Sequence, residues 1–313
     1  VIARFATSAM ATRFELVLEG GDEVRLGAIA EEVFDEVREC EARWSVFDRA
    51  SVVSRLNREG PGASLRVDGA TFELLEEALA IWRESGGWFD PALGSLMGRW
   101  GFRGDAARAR QPSTDVGEST DEPGWVPYGL DPVGRTVHSL RVGSALDLGA
   151  IAKGRALDLA AEVLRDQGVE RALLHGGTSS VVALGAPEGA DGWSVALDDT
   201  PQAPRALLRD AALGVSSNTG RRNTSGGHIL DPRSEAPTTG ESVVCVVAPR
   251  ASSADAWATA LCAAGEVELS LPEELFALAR PQSPPDHAPD SWRPLTVRTD
   301  PFLFAGVSGT LTS

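Results

Sequence analysis

Residues 146–164 read LDLGAIAKGRALDLAAEVL and set one lysine, Lys153, in an almost unbroken apolar run. Ala152 precedes it, Gly154 follows, and Gly149 lies four residues back. A helix is expected from about Lys153 to Gln167, stopped at Gly168. Lys153 then stands in the first turn, after a glycine-bearing loop. Free backbone N–H groups and the positive end of the helix dipole meet a side-chain cation there, an arrangement that suits a phosphate. The competing reading is a lysine that snorkels to solvent from a helix start. The GxxxxGK[ST] pattern of a Walker loop is absent.

Outward from this stretch the chain alternates strands and helices without a regular βαβ rhythm, which favours a mixed α/β (α+β) fold over a doubly wound sheet. RFELVL (13–18) alternates as a half-buried strand. LGAIAEEVFDEVRECEARW (26–44) places Leu26, Ile29, Ala30, Val33, Phe34, Val37, Cys40 and Trp44 on one helical face. ATFELLEEALAIWRESGG (70–87) is a second helix, stopped by Gly86 and Gly87. RALLHGG, SVVALG and WSVALD, between 171 and 198, read as short strands joined by glycine turns. SVVCVVA (242–248) is another strand. SSADAWATALCAAG (252–265) is a helix with Ser252 or Ser253 as N-cap and Gly265 as C-cap. Residues 103–145, polar and rich in Gly and Pro, read as a surface insertion, and the Pro-rich 280–294 reads as loop.

The 313 residues are 42% hydrophobic and 24% charged, ordinary for a globular protein. The net charge of −16 argues against nonspecific nucleic-acid binding and against a polybasic membrane surface. Cys40, Cys245 and Cys262 are odd in number and widely spaced, so neither a disulfide framework nor a zinc site is indicated. No apolar span is long enough for a transmembrane helix. The opening VIARFATSAM has neither a signal-peptide core nor a lipobox, so the chain as given reads as cytoplasmic. Periplasmic or membrane-anchored placement through a removed export segment is the alternative.

Several residues could carry chemistry. Asp147, six residues before Lys153, is either a ligand-binding carboxylate or a turn aspartate. Asp255 and Thr259 share a helical face and could offer two hard oxygens to Mg²⁺. Equally, they could be a helix-start aspartate and a threonine bonding back to its helix. GVSSNTGRRNTSGGHILDP (214–232) presents hydroxyls and backbone N–H groups to a ligand or forms a polar-tipped hairpin. His228 within it is structural or catalytic, and Trp88 and Phe89 are core or cofactor-stacking residues.

Taken in order, these segments resemble the FAD:protein FMN transferases, the ApbE-type flavin transferases. SAMATRFELVL (8–18) is similar to the family's N-terminal M-G-T motif. RWSVFDRASVVSRLN (43–57) is similar to its aromatic–Ser segment with a Leu-Asn end. GWFDPALGSL (87–96) is similar to F-D-P-[TS]-x-G-x-L, and LDLGAIAKGRALD (146–158) to D-L-G-G-I-A-K-G-x-A-x-D. LLHGGTSSVVALG (173–185) resembles the Gly-Gly strand, SSNTG (216–220) and HILDP (228–232) resemble T-S-G and H-I-I-D-P, and DAWATAL (255–261) resembles D-A-x-[AS]-T-A-L. The likeness spans about residues 5–265.

The resemblance implies a single T-fold-like flavin transferase domain over 1–313. It implies FAD as substrate, Mg²⁺ as metal, and transfer of FMN to a Thr or Ser of an acceptor protein with release of AMP. Met10 should touch the flavin nucleotide and Phe47 pack on it, while Phe89, Asp90 and Pro91 line the FAD pocket. Asp147 and Lys153 should bind FAD, with Lys153 facing the pyrophosphate. Asp255, Thr259 and the Ala150 carbonyl should hold Mg²⁺. Asn218 and Thr219 correspond to the Thr-Ser pair, and His228 with Ile229 to a second flavin-contacting edge. Lys153, Asp255 and His228 are the catalytic candidates. Ala11, Ala92, Ala150 and Glu235 depart from the motifs. An FAD pyrophosphatase and a flavin-binding protein without turnover are the alternatives. DGAT (68–71) resembles the tail of a flavinylation target, or is a helix start capped by Asp68.

Overall fold

The computed structural model describes residues 1–59, 62–103, 126–138, 141, 143–198, 203–218, 222–223, 226–239, 242–265, 267–280, 292–295 and 304–305. Its centre is an eight-stranded sheet built from β1 (Ile2–Ala9), β2 (Thr12–Glu19), β6 (Ala172–Gly176), β7 (Ser180–Leu184), β10 (Ala211–Ser217), β15 (Val243–Ala248), β16 (Phe276–Arg280) and β17 (Arg293–Pro294), neighbours in that order. Every pairing in it is antiparallel. Three small sheets join β3 (Ser64–Arg66) with β5 (Thr136–His138) and β4 (Gly129–Asp131), β11 (Arg222–Asn223) with β12 (Gly226–Gly227), and β13 (Leu230–Asp231) with β14 (Ala236–Pro237). A fourth joins β18 (Phe304–Ala305), β9 (Arg205–Leu208) and β8 (Trp193–Ala196). The helices are α1 (Glu23–Trp44), α2 (Val52–Glu59), α3 (Gly69–Glu84), α4 (Gly94–Arg99), α5 (Ala152–Asp166) and α6 (Ala251–Ala264).

Both faces of the large sheet are covered, and its strands record this. On one face Phe14, Leu16, Leu18, Leu174, Val182 and Leu184 pack against α1 and α5. On the other, Val181, Ala183, Val243, Cys245 and Val247 pack with Trp193 and Leu208 of the β8–β9 pair. β15 is buried at all six positions because Val244 and Val246 face a third cluster, shared with α3 and α6. A run apolar at every position is what a strand covered on both sides requires.

The expected mixed α/β class holds, and so do most elements. The buried residues of α1 are the eight on its expected face. The α3 helix ends before Gly86 and Gly87, both at positive φ. β1 was not legible: IARFATSA alternates, but between half-exposed and exposed positions, as an edge strand does. The expected N-cap of α6 is wrong. The helix begins at Ala251, and Ser252 lies inside its first turn. The cap comes from another helix: Asp158 of α5 accepts from the Ala251 N–H at 2.7 Å and the Ser252 N–H at 3.1 Å.

The surface insertion expected at 103–145 is corrected at its ends. Tyr128 and Val137 are core residues, and the Tyr128 hydroxyl donates to the Leu75 carbonyl at 2.8 Å. The polar centre, 104–125, lies outside the described residues. The DGAT segment is a helix start: Asp68 accepts from the Thr71 N–H and hydroxyl, and Thr71 is fully buried, where no flavin could be attached.

Candidate active site

Two close approaches build the site. A Cβ on Gly154 would overlap the Ala251 carbonyl and the Ser252 nitrogen, so α5 and α6 cross with backbone against backbone. A Cβ on Gly214 would overlap the Ala254 carbonyl and the Asp255 nitrogen, so α6 lies equally close on β10. Alanines at 251, 254, 256, 258 and 260 keep α6 thin enough for this, and all are buried. The result presses Asp255 against the N-terminus of α5.

There Lys153 Nζ lies 3.8 Å from Asp255 Oδ2, with the lysine side chain 24% exposed and the aspartate 5%. The Gly154 N–H also serves the Asp255 carboxylate, and the Ser180 hydroxyl reaches both of its oxygens at 2.8 Å. Burial pushes the Asp255 carboxyl up to about 6, opposed by Lys153, Ser180 and Gly154. The α5 N-terminus has no side-chain cap of its own: Ile151 occupies the cap position. Its positive end and Lys153 are therefore directed at one place.

Thr259, one turn along α6, donates its hydroxyl proton to the Asp255 carbonyl at 3.0 Å, as a threonine bonding back to its helix does. Ser216 Oγ lies 3.1 Å from Thr259 Oγ1. With the threonine proton already engaged, Ser216 is the donor in that contact. That leaves one lone pair on the Thr259 oxygen, which a cation ligand needs. Ala150 is half-buried in the turn just before α5.

A second group is organised around Asp147. Arg103 grips its Oδ2 from Nε at 3.2 Å and Nη2 at 3.1 Å, and donates to the Leu146 carbonyl at 2.6 Å. Asn57 holds the Leu146 backbone at both ends, N–H and carbonyl. The Asp147 N–H donates to the Pro91 carbonyl. Asp90 commits its carboxylate to Arg141 at 2.6 Å and to the Ala92 N–H at 2.8 Å. Phe89 is buried in the core among Trp88 and Ile229. Phe89, Asp90 and Pro91 thus form a brace behind Asp147, and Phe89 is a core ring rather than a stacking one.

The remaining candidates scatter around these groups. Met10 sits in the β1–β2 turn against two core clusters. Phe47, after α1, is 65% exposed and offers its ring outward. Asn218 ends the β10 region, buried, and its Oδ1 accepts from the Cys262 thiol. Thr219 lies outside the described residues. The His228 ring meets Phe102 edge-on, with centroids 6.5 Å apart. Ile229 is core, and its carbonyl takes the Thr238 N–H. Glu235 adopts φ +53°, a glycine-favouring conformation, and is tied down by Arg99 and by Trp100 Nε1 on its carbonyl. Among the described residues no three His, Cys, Asp or Glu side chains gather into a metal-holding group.

The sequence model of the ApbE family matches residues 10–276. The chain belongs to the ApbE family. It is 34% identical over 237 residues to the FAD:protein FMN transferase of Rhodobacter capsulatus, a match covering 73% of this chain and 45% of that protein. It is 32% identical over 266 residues to the FAD:protein FMN transferase of Treponema pallidum, covering 74% and 70%. The chain therefore spans less than half the length of the first of these relatives. In structure it is similar to the ApbE protein of Thermotoga maritima, with a TM-score of 0.78 at 27% identity over 90% of this chain and 94% of that one.

Four residues bonded to the candidate side chains carry no mark in the sequence: Arg103 on Asp147, Arg141 on Asp90, Ser180 on Asp255 and Ser216 on Thr259. The two arginines lie at the margins of a stretch whose polar composition hides them. The serines sit among other serines with nothing local to mark them. Lys153 is marked by composition: it is the only lysine in the sequence, all other Lys/Arg positions being arginine. A chain that uses arginine everywhere else keeps a compact ammonium here. Among the described residues no helix is long and apolar enough to cross a membrane.

Proposed function

We propose that the chain transfers FMN from FAD to a Thr or Ser hydroxyl of an acceptor protein and releases AMP, with Mg²⁺ assisting. The observation that carries this reading is the sole lysine, in the first turn of α5, 3.8 Å from the buried Asp255. A pyrophosphate placed there meets the Lys153 ammonium and the positive end of the α5 dipole, which together stabilise charge as it develops on phosphate oxygens. In the reaction the acceptor oxygen bonds to the FMN phosphorus. The bond from that phosphorus to the bridging oxygen breaks, and AMP departs with the electron pair. His228 is the imidazole assigned to take the hydroxyl proton. Asp147, held by Arg103, and the exposed Phe47 ring are assigned to bind and orient FAD.

The residues present suit Mg²⁺. Asp255 carboxylate, Thr259 hydroxyl and Ala150 carbonyl are all hard oxygens, and among the described residues the buried Asp255 has Lys153 as its ion-pair partner. When bound, the metal would neutralise pyrophosphate charge. The global charge of −16 does not oppose this, because charges more than ~8 Å apart are largely screened in physiological salt.

The test is incubation of the chain with FAD, Mg²⁺ and an acceptor domain, read by mass spectrometry of the acceptor and by AMP detection. FMN on the acceptor with AMP is the expected result. AMP with free FMN identifies a pyrophosphatase, and intact bound FAD identifies a binding protein.

A further inference from the structure

Ser180 holds an unusual place relative to Asp255. Its hydroxyl oxygen is 2.8 Å from Oδ1 and 2.8 Å from Oδ2, equidistant from the two carboxylate oxygens. The serine is fully buried on β7, paired with Gly176 of β6 on one side and Gly214 of β10 on the other. Gly214 is also where α6 closes onto the sheet, so hydroxyl and carboxylate are fixed by the same packing. Oδ2 additionally faces Lys153.

A cation that binds both oxygens of one carboxylate must also sit equidistant from them. Ca²⁺ accepts such two-oxygen binding readily, in a flexible shell of many ligands. Mg²⁺ demands a near-octahedral shell at short distance, which the narrow bite of one carboxylate does not fit, so it takes one oxygen. We infer that Ser180 is a specificity-determining residue: by occupying the equidistant position it confines a cation at Asp255 to one carboxylate oxygen and so favours Mg²⁺ over Ca²⁺. The inference rests on the reading of Asp255 as a metal ligand. It adds a residue whose hydroxyl excludes a competitor ion.

The experiment is titration of the FAD-loaded full chain with Mg²⁺ and with Ca²⁺, followed by flavin fluorescence within seconds of mixing. It compares wild type, Ser180→Ala, Ser180→Cys and Asp255→Asn, each checked for a cooperative melt. Wild type should half-saturate at lower Mg²⁺ than Ca²⁺. Ser180→Ala should move the Ca²⁺/Mg²⁺ ratio toward Ca²⁺ by about tenfold, the worth of one hydrogen bond to a charged group. Ser180→Cys keeps an atom in the equidistant place and should hold the wild-type ratio, which a merely structural role would not predict. An unchanged ratio in Ser180→Ala, or equal shifts in the Ala and Cys variants, overturns the inference. So does a wild type that takes Ca²⁺ as tightly as Mg²⁺, a result that needs no variant to fold. If Asp255→Asn keeps the wild-type metal response, the metal reading itself falls and the inference with it. If Asp255→Asn loses the response while Ser180→Ala keeps the wild-type ratio, only the role of Ser180 falls.

Discussion

The Asp255 carboxyl is pushed from 3.8 up to about 6 by burial, with Lys153 and Ser180 opposing. Its folded value lies above its unfolded one, so the fold binds this proton more tightly than the unfolded chain does. The group therefore lowers stability as pH rises from about 4 to 6, and the full penalty, about 3 kcal/mol, persists above that range. Asp255→Asn should melt several degrees above wild type at pH 7.5 in EDTA, and the gap should close by pH 4. Calorimetric melts of both proteins at the two pH values check this, and a variant that melts lower at pH 7.5 would refute it. Lys153→Arg keeps the charge but replaces a point ammonium with a planar fork on a site framed by close backbone. Release of AMP should fall at least ~100-fold, the scale of losing one well-placed electrostatic donor, while the melting temperature shifts little. Retention of activity in a quantitative AMP assay would show that any cation serves.

At the scale of elements, the site depends on how closely helices approach. Gly154→Ala places a methyl where the Ala251 carbonyl stands, and neither backbone can yield without moving a helix. The expected cost is about 3 kcal/mol or more, the upper range for overpacking. Urea unfolding should show it, together with weakened FAD binding as Lys153 and Asp255 separate. The β1–β2 turn offers the opposite case. Met10 and Ala11 have φ of 49° and 57°, left-handed values that non-glycine residues adopt at a cost. Ala11→Gly should stabilise by up to about 1 kcal/mol, less the added freedom of the unfolded chain. A lower urea midpoint would show that the Ala11 methyl contributes packing instead. The cap of α6 belongs to this scale too. Asp158 also meets the Ser252 hydroxyl at 2.6 Å, and that hydroxyl lies 2.6 Å from Glu77 of α3, so three helices are joined at one buried point.

For the whole molecule, the prediction is linkage between ligands. One carboxylate, one hydroxyl and one carbonyl are a modest set for Mg²⁺ unless substrate phosphates complete the shell. Mg²⁺ should bind the FAD complex much better than the empty chain. By reciprocity, Mg²⁺ must raise FAD affinity by the same factor. FAD titrations with Mg²⁺ and with EDTA give that factor, and metal titrations with and without FAD must return it. A ratio near one in both would show that the metal and FAD do not meet.

The sequence by itself determined what depends on one element's own burial. The α1 stripe from Leu26 to Trp44 is a periodic record of a single covered face. The all-buried β15 records two covered faces. The glycines after α3 and α5 mark their ends because left-handed backbone is local. The order of the motifs from Met10 to Thr259 likewise pointed to the ApbE family. Only the tertiary structure decided which charges meet. Lys153 found its partner on α6, Asp147 found Arg103 beyond α4, and α6 took its cap from Asp158 rather than from its own serines. Tyr128 entered the core from a stretch whose composition reads as surface. Periodicity carries no information about which elements cross. That is set by how near two backbones come, at Gly154 and Gly214, and a glycine in sequence does not say what lies against it.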